Sequence, residues 1–587
     1  MPKRNPIQSE QGAALVIALL AVVVMTMFGI ILLQVLRGSM VQATSSEAAV
    51  QAEANAQRGI DDALALIRNA VERGNAEGAD YRDKIARAND YLDRVKAYIA
   101  SGSPVNAKRG TYEIAVEEDT GNYASLTASP ITVPDFPYVR MFTIKATGKI
   151  ANHPGGIAAK RMRVIVSTIN PVFRYPLSAD NNITLNGSPY IVGDVLARDG
   201  NVAVSDVAVF TGLPGTKYGK KTDYPSVKGF INYGGEIVEY VPGTTTVDRH
   251  SGDVDETFFS KAVPLRDKQL AAGEPVAAAD YVSAKLTEMA EKVDAATSPF
   301  DENVNSGDLF GASLGSSLGA VIGHSVKYED LWVTVQGNLT LDNPAGLSDF
   351  AVKDGVLRLL PGANFQLHHG SLYISYNDPN VVAADLSGAL AVDPGWSVVI
   401  NGNCTLNDGF YFAGNMYIKG DLKVVGSINI DGTIYVDGGV ELKQMTAIND
   451  SVAKPLIIVA TRTFDFSDNI SANSLRAFFY ANEDINLRGV LSKIKIYGGV
   501  HGNNAILNAV REDFANPPTD PAYIEYDPPI GATEPTSFMF TMGQTNLAAE
   551  QSKLQIFYDS KLYSDPPVGI PTTSEVSVFV KEIDTVK

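Results

Sequence analysis

Cysteine is all but missing: Cys404 is the only one in 587 residues. No intrachain disulfide can form, so stability must come from packing even where the chain faces an oxidising compartment. Tryptophan is limited to Trp332 and Trp396, and histidine to six positions. Positive charge is short as well. There are 48 Lys and Arg against 66 Asp and Glu, a formal net charge of −18, which argues against a nucleic-acid surface. No H-E-x-x-H, G-x-S-x-G, P-loop or C-x-x-C pattern is present, so the chemistries those patterns carry have no visible seat. His368-His369 is the one adjacent histidine pair. Neighbours in a strand point to opposite faces, so joint ligation of one metal is not expected of them.

Charge is absent altogether from Ala13 to Leu33, which reads AALVIALLAVVVMTMFGIILL. At about 1.5 Å per residue this run makes a helix of about 31 Å, the thickness of a bilayer's hydrocarbon core. It is apolar all round apart from Thr26, unlike a soluble core helix, which keeps a polar face. Only MPKRNPIQSEQG precedes it, with Lys3 and Arg4 near the start, so the charge bias holds the N-terminus in the cytoplasm and sends the rest outward. Leu32-Leu33-Gln34-Val35-Leu36 offers no small-residue cleavage pattern, and the helix is expected to stay attached.

A processing site of another kind lies ahead of the apolar run, where Gln11-Gly12 meets Ala13-Ala14-Leu15-Val16. This junction resembles the leaders of type IV prepilins and pseudopilins, and among them the PilX-type minor pilins. The resemblance implies that a prepilin peptidase cuts after Gly12 and that Ala13 becomes the first mature residue, methylated on its amine. It also implies a bacterial inner-membrane protein with its bulk in the periplasm or outside the cell, whose helix packs with other pilin or pseudopilin subunits. Major pilins carry Glu at the fifth mature position; here that position is Ile17. A subunit without that Glu offers no partner to the amine of a subunit ahead, and an unpaired buried charge is costly. Such a subunit is expected at a filament tip, as in the K-type minor pseudopilins it is similar to.

Past the span, Gly38 to Gly74 contains no proline and much alanine, with Val41, Ala48, Ala52, Ile60, Ala63, Leu64, Ile67 and Val71 at helical spacing. One long helix is expected, and Glu53 reads as a solvated carboxylate on it. A second helix is expected over 81–100, with Ile85, Tyr91, Leu92, Val95 and Ile99 on one side. Period two then takes over at Thr111–Val116, Met141–Ala146 and Arg161–Val166, which reads as a small antiparallel sheet laid on the long helix. Asn170-Pro171 closes this module.

Between Val398 and Met445 a six-residue period runs for eight units without insertion. Apolar residues hold the first and third places, from Val398 and Ile400 through Cys404 and Leu406 to Val440 and Leu442. Gly holds the fifth place at Gly402, Gly414, Gly420, Gly426, Gly432 and Gly438. Two inward residues around one outward residue make a very short strand, and Gly permits the bend to the next face. Three units would close one coil of a triangular β-solenoid, about 18 residues long; a series of β-hairpins is the competing arrangement. The repeat is similar to that of bactofilin-type β-helices.

The expected fold is therefore α+β: a leader over 1–12, a transmembrane helix over 13–36, and a pilin-like stalk helix and antiparallel sheet over 37–170. A large all-β solenoid follows over 171–515, interrupted at about 210–325 by an insertion with a helix near 278–297 that is expected to emerge on a binding face. The Pro-rich tail over 516–587 is expected to cap the stack. Cys404, at an inward place, reads as a core thiol, and Asp421, Asp431 and Asp437 as turn formers beside the repeat glycines. Asp253, Asp255 and Glu256 could take calcium but lack the full spacing of a ligand loop. No catalytic residue, metal or other cofactor is expected. The function expected is that of a minor pilin-like structural subunit, displaying a solenoid for assembly priming or for contact with a surface or polysaccharide. The alternatives are a membrane-tethered β-helix adhesin and a carbohydrate-active β-helix enzyme.

Overall fold

A computed structural model describes residues 7–102, 104–107, 109–119, 138–151, 153, 156–211, 217–240, 247–250, 265–267, 276–295, 326–329, 332–335, 337–342, 350–353, 355–376, 378–466, 474–490, 493–511, 523–526, 538–542 and 546–586. The chain forms two compact units. One comprises Met1–Ala124, Val139–Ser167 and Ser574–Lys587, the other Ser125–Tyr138 and Thr168–Thr573.

The first unit is built on helix α1, Ile7–Glu77. Its buried stripe is Ala48, Ala52, Ala56, Ile60, Ala63, Ile67 and Ala70, steps of three and four that keep one face turned to its neighbours. Val41, expected in that stripe, is 54% exposed, because the sheet covers the helix only above it. Small side chains let the layers close: a Cβ on Gly59 would stand 2.9 Å from Ala146 Cβ and 3.0 Å from Tyr112 Cδ2. The sheet pairs Thr111–Glu118 with Val139–Lys149, and that strand with Ile157–Ile169, all antiparallel. Helix α2, Tyr81–Ala100, is N-capped by Asp80, which accepts the Asp83 N–H at 2.9 Å. It crosses α1 where Gly74 faces Ala88.

Arg140 joins α2 to the sheet. Its guanidinium is 9% exposed, meets Glu118 at 2.6 Å and Asp93 at 2.8 Å, and donates to Asn89 at 2.9 Å. Burial opposes ionisation of Glu118, but hydrogen bonds and charge from Arg140 and Lys96 outweigh it and hold the carboxyl below its ordinary value of 4.5.

The fifth strand of this sheet is Thr572–Val586, beside Ile157–Ile169. It is tied to α1 by the Asn75 side chain, which donates to Val576 O at 2.8 Å and accepts its N–H at 3.0 Å. The last part of the tail expected to cap the stack therefore joins this sheet instead. Its alternating residues suit any half-buried strand, and nothing local marks which sheet they join.

The second unit is a stack of short parallel strands forming three ladders. On one face Leu372, Val398, Met416, Ile434, Ile458, Phe479 and Val500 follow one another in register, all almost fully buried. Over the hexads the offset is three units: Cys404 lies beside Leu422, and Leu422 beside Val440. Parallel pairing at that offset excludes hairpins. The column does not stop at Val500. It continues into Leu177, Val195, Ile231 and Leu265, so the first rungs in sequence sit on the last. Leu554–Tyr558 completes the joining rung between Ile494–Gly502 and Tyr190–Val192.

Two expected boundaries change accordingly. Ser226–Lys228, Ile231–Tyr233 and Ile237–Tyr240, placed by the sequence in the insertion, are rungs paired to Tyr190–Ser205. Leu554–Tyr558, placed in the tail, is a rung as well. A hexad pattern tells which residues point inward; it carries no information on which rungs meet in space. At one end of the stack Val247–His250 pairs antiparallel to Ile237–Tyr240, and at the other Val326–Glu329 pairs antiparallel to Trp332–Val335.

Between these ends runs the connector that contains helix α3, Ala278–Ala295. Ala278, Val282 and Met289 are buried, and Tyr281 lies 5.0 Å from Tyr435, which stacks on Tyr417 at 5.3 Å. The helix expected to emerge as a display loop is thus packed along one face of the stack. The outward residues of that face, Val399, Tyr417 and Tyr435, are apolar or aromatic, and it needs a cover.

At the corners the rungs approach too closely for side chains. A Cβ on Gly432 would overlap the Gly414 carbonyl oxygen, whereas one on Gly439 would find nothing nearer than Asp421 Oδ1 at 3.6 Å. Gly432→Ala is expected to cost about 2 kcal/mol or more, and Gly439→Ala less than about 1 kcal/mol, as read by urea unfolding of the full chain. In the first unit Glu118 stabilises the folded form above its ordinary pKa, and that contribution fades as pH falls through the depressed folded value. Glu118→Gln is expected to lower stability at pH 7 and to flatten the acid limb below about pH 4.5, measured by thermal melts across pH.

Candidate functional site

The most unusual surface on the described chain is the lower part of α1. From Ala14 onward the helix carries a segment of mean hydropathy 3.0 with none of it buried. Seventeen large apolar side chains between Leu15 and Leu36 are exposed, from Met25 at 76% to Val24 at 42%. Each left in water forfeits about 1.5–3 kcal/mol, so this rod requires an apolar surrounding. Its one hydroxyl is already satisfied: Thr26 Oγ1 donates to the Val22 and Val23 carbonyls at 2.9 and 2.8 Å. No hydroxyl donor there needs water, as hydrocarbon demands. The helix is long and apolar enough to cross a membrane.

Above Leu36 the same helix changes partners without a break. Ser39 and Thr44 fold their hydroxyls back onto the helix, and from Ala48 one face is covered by the unit's own sheet. Glu53 pairs with Lys160 at 3.1 Å while remaining about half exposed. One continuous helix is therefore bare over its first half and docked over its second.

Ile17 lies on the bare half, 67% exposed, one apolar side chain among many. Gly12 and Ala13 fall in the first turns of α1, but their side chains lie outside the described residues, as do Asp253, Asp255 and Glu256. His368 and His369 are gathered by Asp393: its carboxylate lies 2.9 Å from His368 Nδ1 and accepts the His369 N–H at 2.9 Å. The His368 hydrogen bond holds Asp393 below the usual carboxylate range. Among the described residues no group of three or more His, Cys, Asp or Glu is arranged to hold a metal.

Cys404 is buried in the stack, and burial pushes its thiol up, away from nucleophilic form. Asp421 accepts the Gly439 N–H at 2.9 Å and Asp437 the Thr461 hydroxyl at 3.3 Å, while Asp431 lies 4.0 Å from Lys454. These carboxylates hold rung to rung and share no cleft. Sequence reasoning missed the covered aromatic face, although its signal was present: Val399, Tyr417 and Tyr435 recur at the middle place of every third hexad.

No protein-family model matches the chain, and no curated protein is similar to it at a significant level. Among solved structures it is similar to the competence-associated pilin ComZ from Thermus thermophilus, at 12% identity and a TM-score of 0.22, over 92% of this chain and 97% of that one. A superposition at that score establishes neither a shared fold nor a shared role.

The bare segment is sensitive to charge. Val24→Arg is expected to cost about 2.5–3.5 kcal/mol of insertion free energy. Alkaline carbonate extraction of membranes checks this, with the variant moving to the soluble fraction.

Proposed function

We propose that this chain is a minor pilin-like structural subunit of a type IV pilus or related secretion filament. The three parallel ladders are read as a β-solenoid displayed outside the inner membrane. The observation that carries the proposal is the two-part helix, apolar and bare over 14–36, then welded through alanines to a small antiparallel sheet. A membrane holds the bare half first, and the helices of neighbouring subunits can hold it afterwards, since both surroundings are apolar. Prepilin peptidase processing between Gly12 and Ala13 fits the polar leader and the apolar run after it. Ile17 in place of an acidic residue favours the leading position of a filament, where no amine from a subunit ahead must be neutralised. The role is mechanical: the carboxylates beside the repeat glycines are engaged with backbone and neighbouring side chains, and calcium and other cofactors have no part in the proposal.

Intact-mass and N-terminal analysis of the protein from native membranes is expected to give a methylated Ala13. An uncut Met1 would leave only a tether. Replacing 14–36 with an unrelated apolar anchor is expected to keep the protein in the membrane and remove it from sheared filaments; equal recovery would refute the filament role.

A further inference from the structure

The large unit begins and ends at one point. Asn170 donates its N–H to Pro571 O at 3.0 Å, Thr573 Oγ1 donates to Thr168 O at 3.3 Å, and the buried Tyr563 hydroxyl donates to Asn170 O at 3.0 Å. Some four hundred residues of chain lie between these two ends. Each end is laid on the column itself. On the entry side Phe173 packs on Phe478 at 4.6 Å, and Leu177–Ala179 pairs with Ile494–Gly502. On the exit side the Val568 and Gly569 carbonyls accept from Thr433 Oγ1 at 2.8 Å and the Tyr435 hydroxyl at 2.6 Å, and Asp565 lies 3.2 Å from Lys454. The exit leads straight into Thr572–Val586, the fifth strand of the small sheet.

We propose that this strand is a folding checkpoint: it seats on the small sheet only in a chain whose column has closed, with Leu177 beside Val500 and Ile183–Gly187 beside Ala505–Ala509. The reason is chain length. The effective concentration of two tethered segments falls as about the −3/2 power of the loop between them, so an unfolded stretch of about four hundred residues presents the strand about a thousandfold less than a closed column, which acts as a loop of about four. The column supplies the proximity that the sheet cannot. An unseated strand is felt by the small unit: Asn75 loses both bonds to Val576, Lys84 loses Glu575 at 3.5 Å, and the outer edge of Ile157–Ile169 is left unpaired. A chain with an open column thus carries an incomplete small unit. The coupling does not rest on the filament role.

Hydrogen exchange of the purified full-length protein in detergent tests it, read at Val576, whose N–H is held by Asn75 Oδ1 at 3.0 Å, and at Ile183–Gly187. In the unaltered protein under rising urea the two are expected to lose protection in one opening that leaves Thr111–Glu118 protected. An opening of Val576 only together with Thr111–Glu118 would overturn the proposal. Leu185→Asp sets a charge at a fully buried place where the first rungs meet the last, and is expected to speed exchange at Val576 at least tenfold. Leu339→Asp sets the same charge at a buried place near the far end of the column, where opening stays local in a stack of repeats, and is expected to leave Val576 unchanged. Unchanged exchange at Val576 in Leu185→Asp, or equal acceleration in both variants, would each overturn it. Should Leu185→Asp fail to fold altogether, the urea series alone decides.

Discussion

Where Leu177, Ile183 and Leu185 lie beside Val500, Ala505 and Leu507, stretches of chain some three hundred residues apart share one ladder, and the rest of the large unit is arranged to permit that contact. Side-chain amides reinforce it. Asn181 donates to Asn503 at 2.7 Å, Asn182 to Asn504 at 3.2 Å, and the buried Asn186 to Asn508 at 2.9 Å, each across 322 positions. Because the first rungs stand on the last, the chain must leave one end of the column after Leu265–Asp267 and re-enter at the other at Val326–Glu329. Helix α3 is a described part of that return path. Its place along the tyrosine face follows from the topology, and the aromatic outward residues follow from its presence.

The small unit obeys a different economy of surface. Alanine and glycine bring the α1 backbone close to the sheet, so affinity between layers comes from proximity and many weak contacts. Arg140 then fixes the second helix at a point where three side chains from two elements converge on one guanidinium. Below Ala48 the same helix leaves its large apolar side chains exposed. The division falls where small residues give way to Leu, Ile and Val.

What the sequence made legible was local. The eighteen-residue offset could be counted from Cys404, Leu422 and Val440; the span could be read from the lack of charge after Gly12; the capped second helix could be read from its spacing. Contacts that join distant stretches left no such trace. Nothing in Leu554–Tyr558 says that it lies between Ile494–Gly502 and Tyr190–Val192, and nothing in Thr572–Val586 says that it joins the first sheet. The stacking of Tyr497 on Phe557 belongs to the same class, because the two rings become neighbours only after the column closes.

A column of parallel strands is a template for its own extension, since each terminal rung offers unpaired amides and carbonyls to any similar strand. On one face both ends are blunted by a strand of reversed direction, Val247–His250 at one and Val326–Glu329 at the other. Reversal breaks the register that a second column would have to match. The reversed strands thus deny a second column, on that face, the parallel edge it would need.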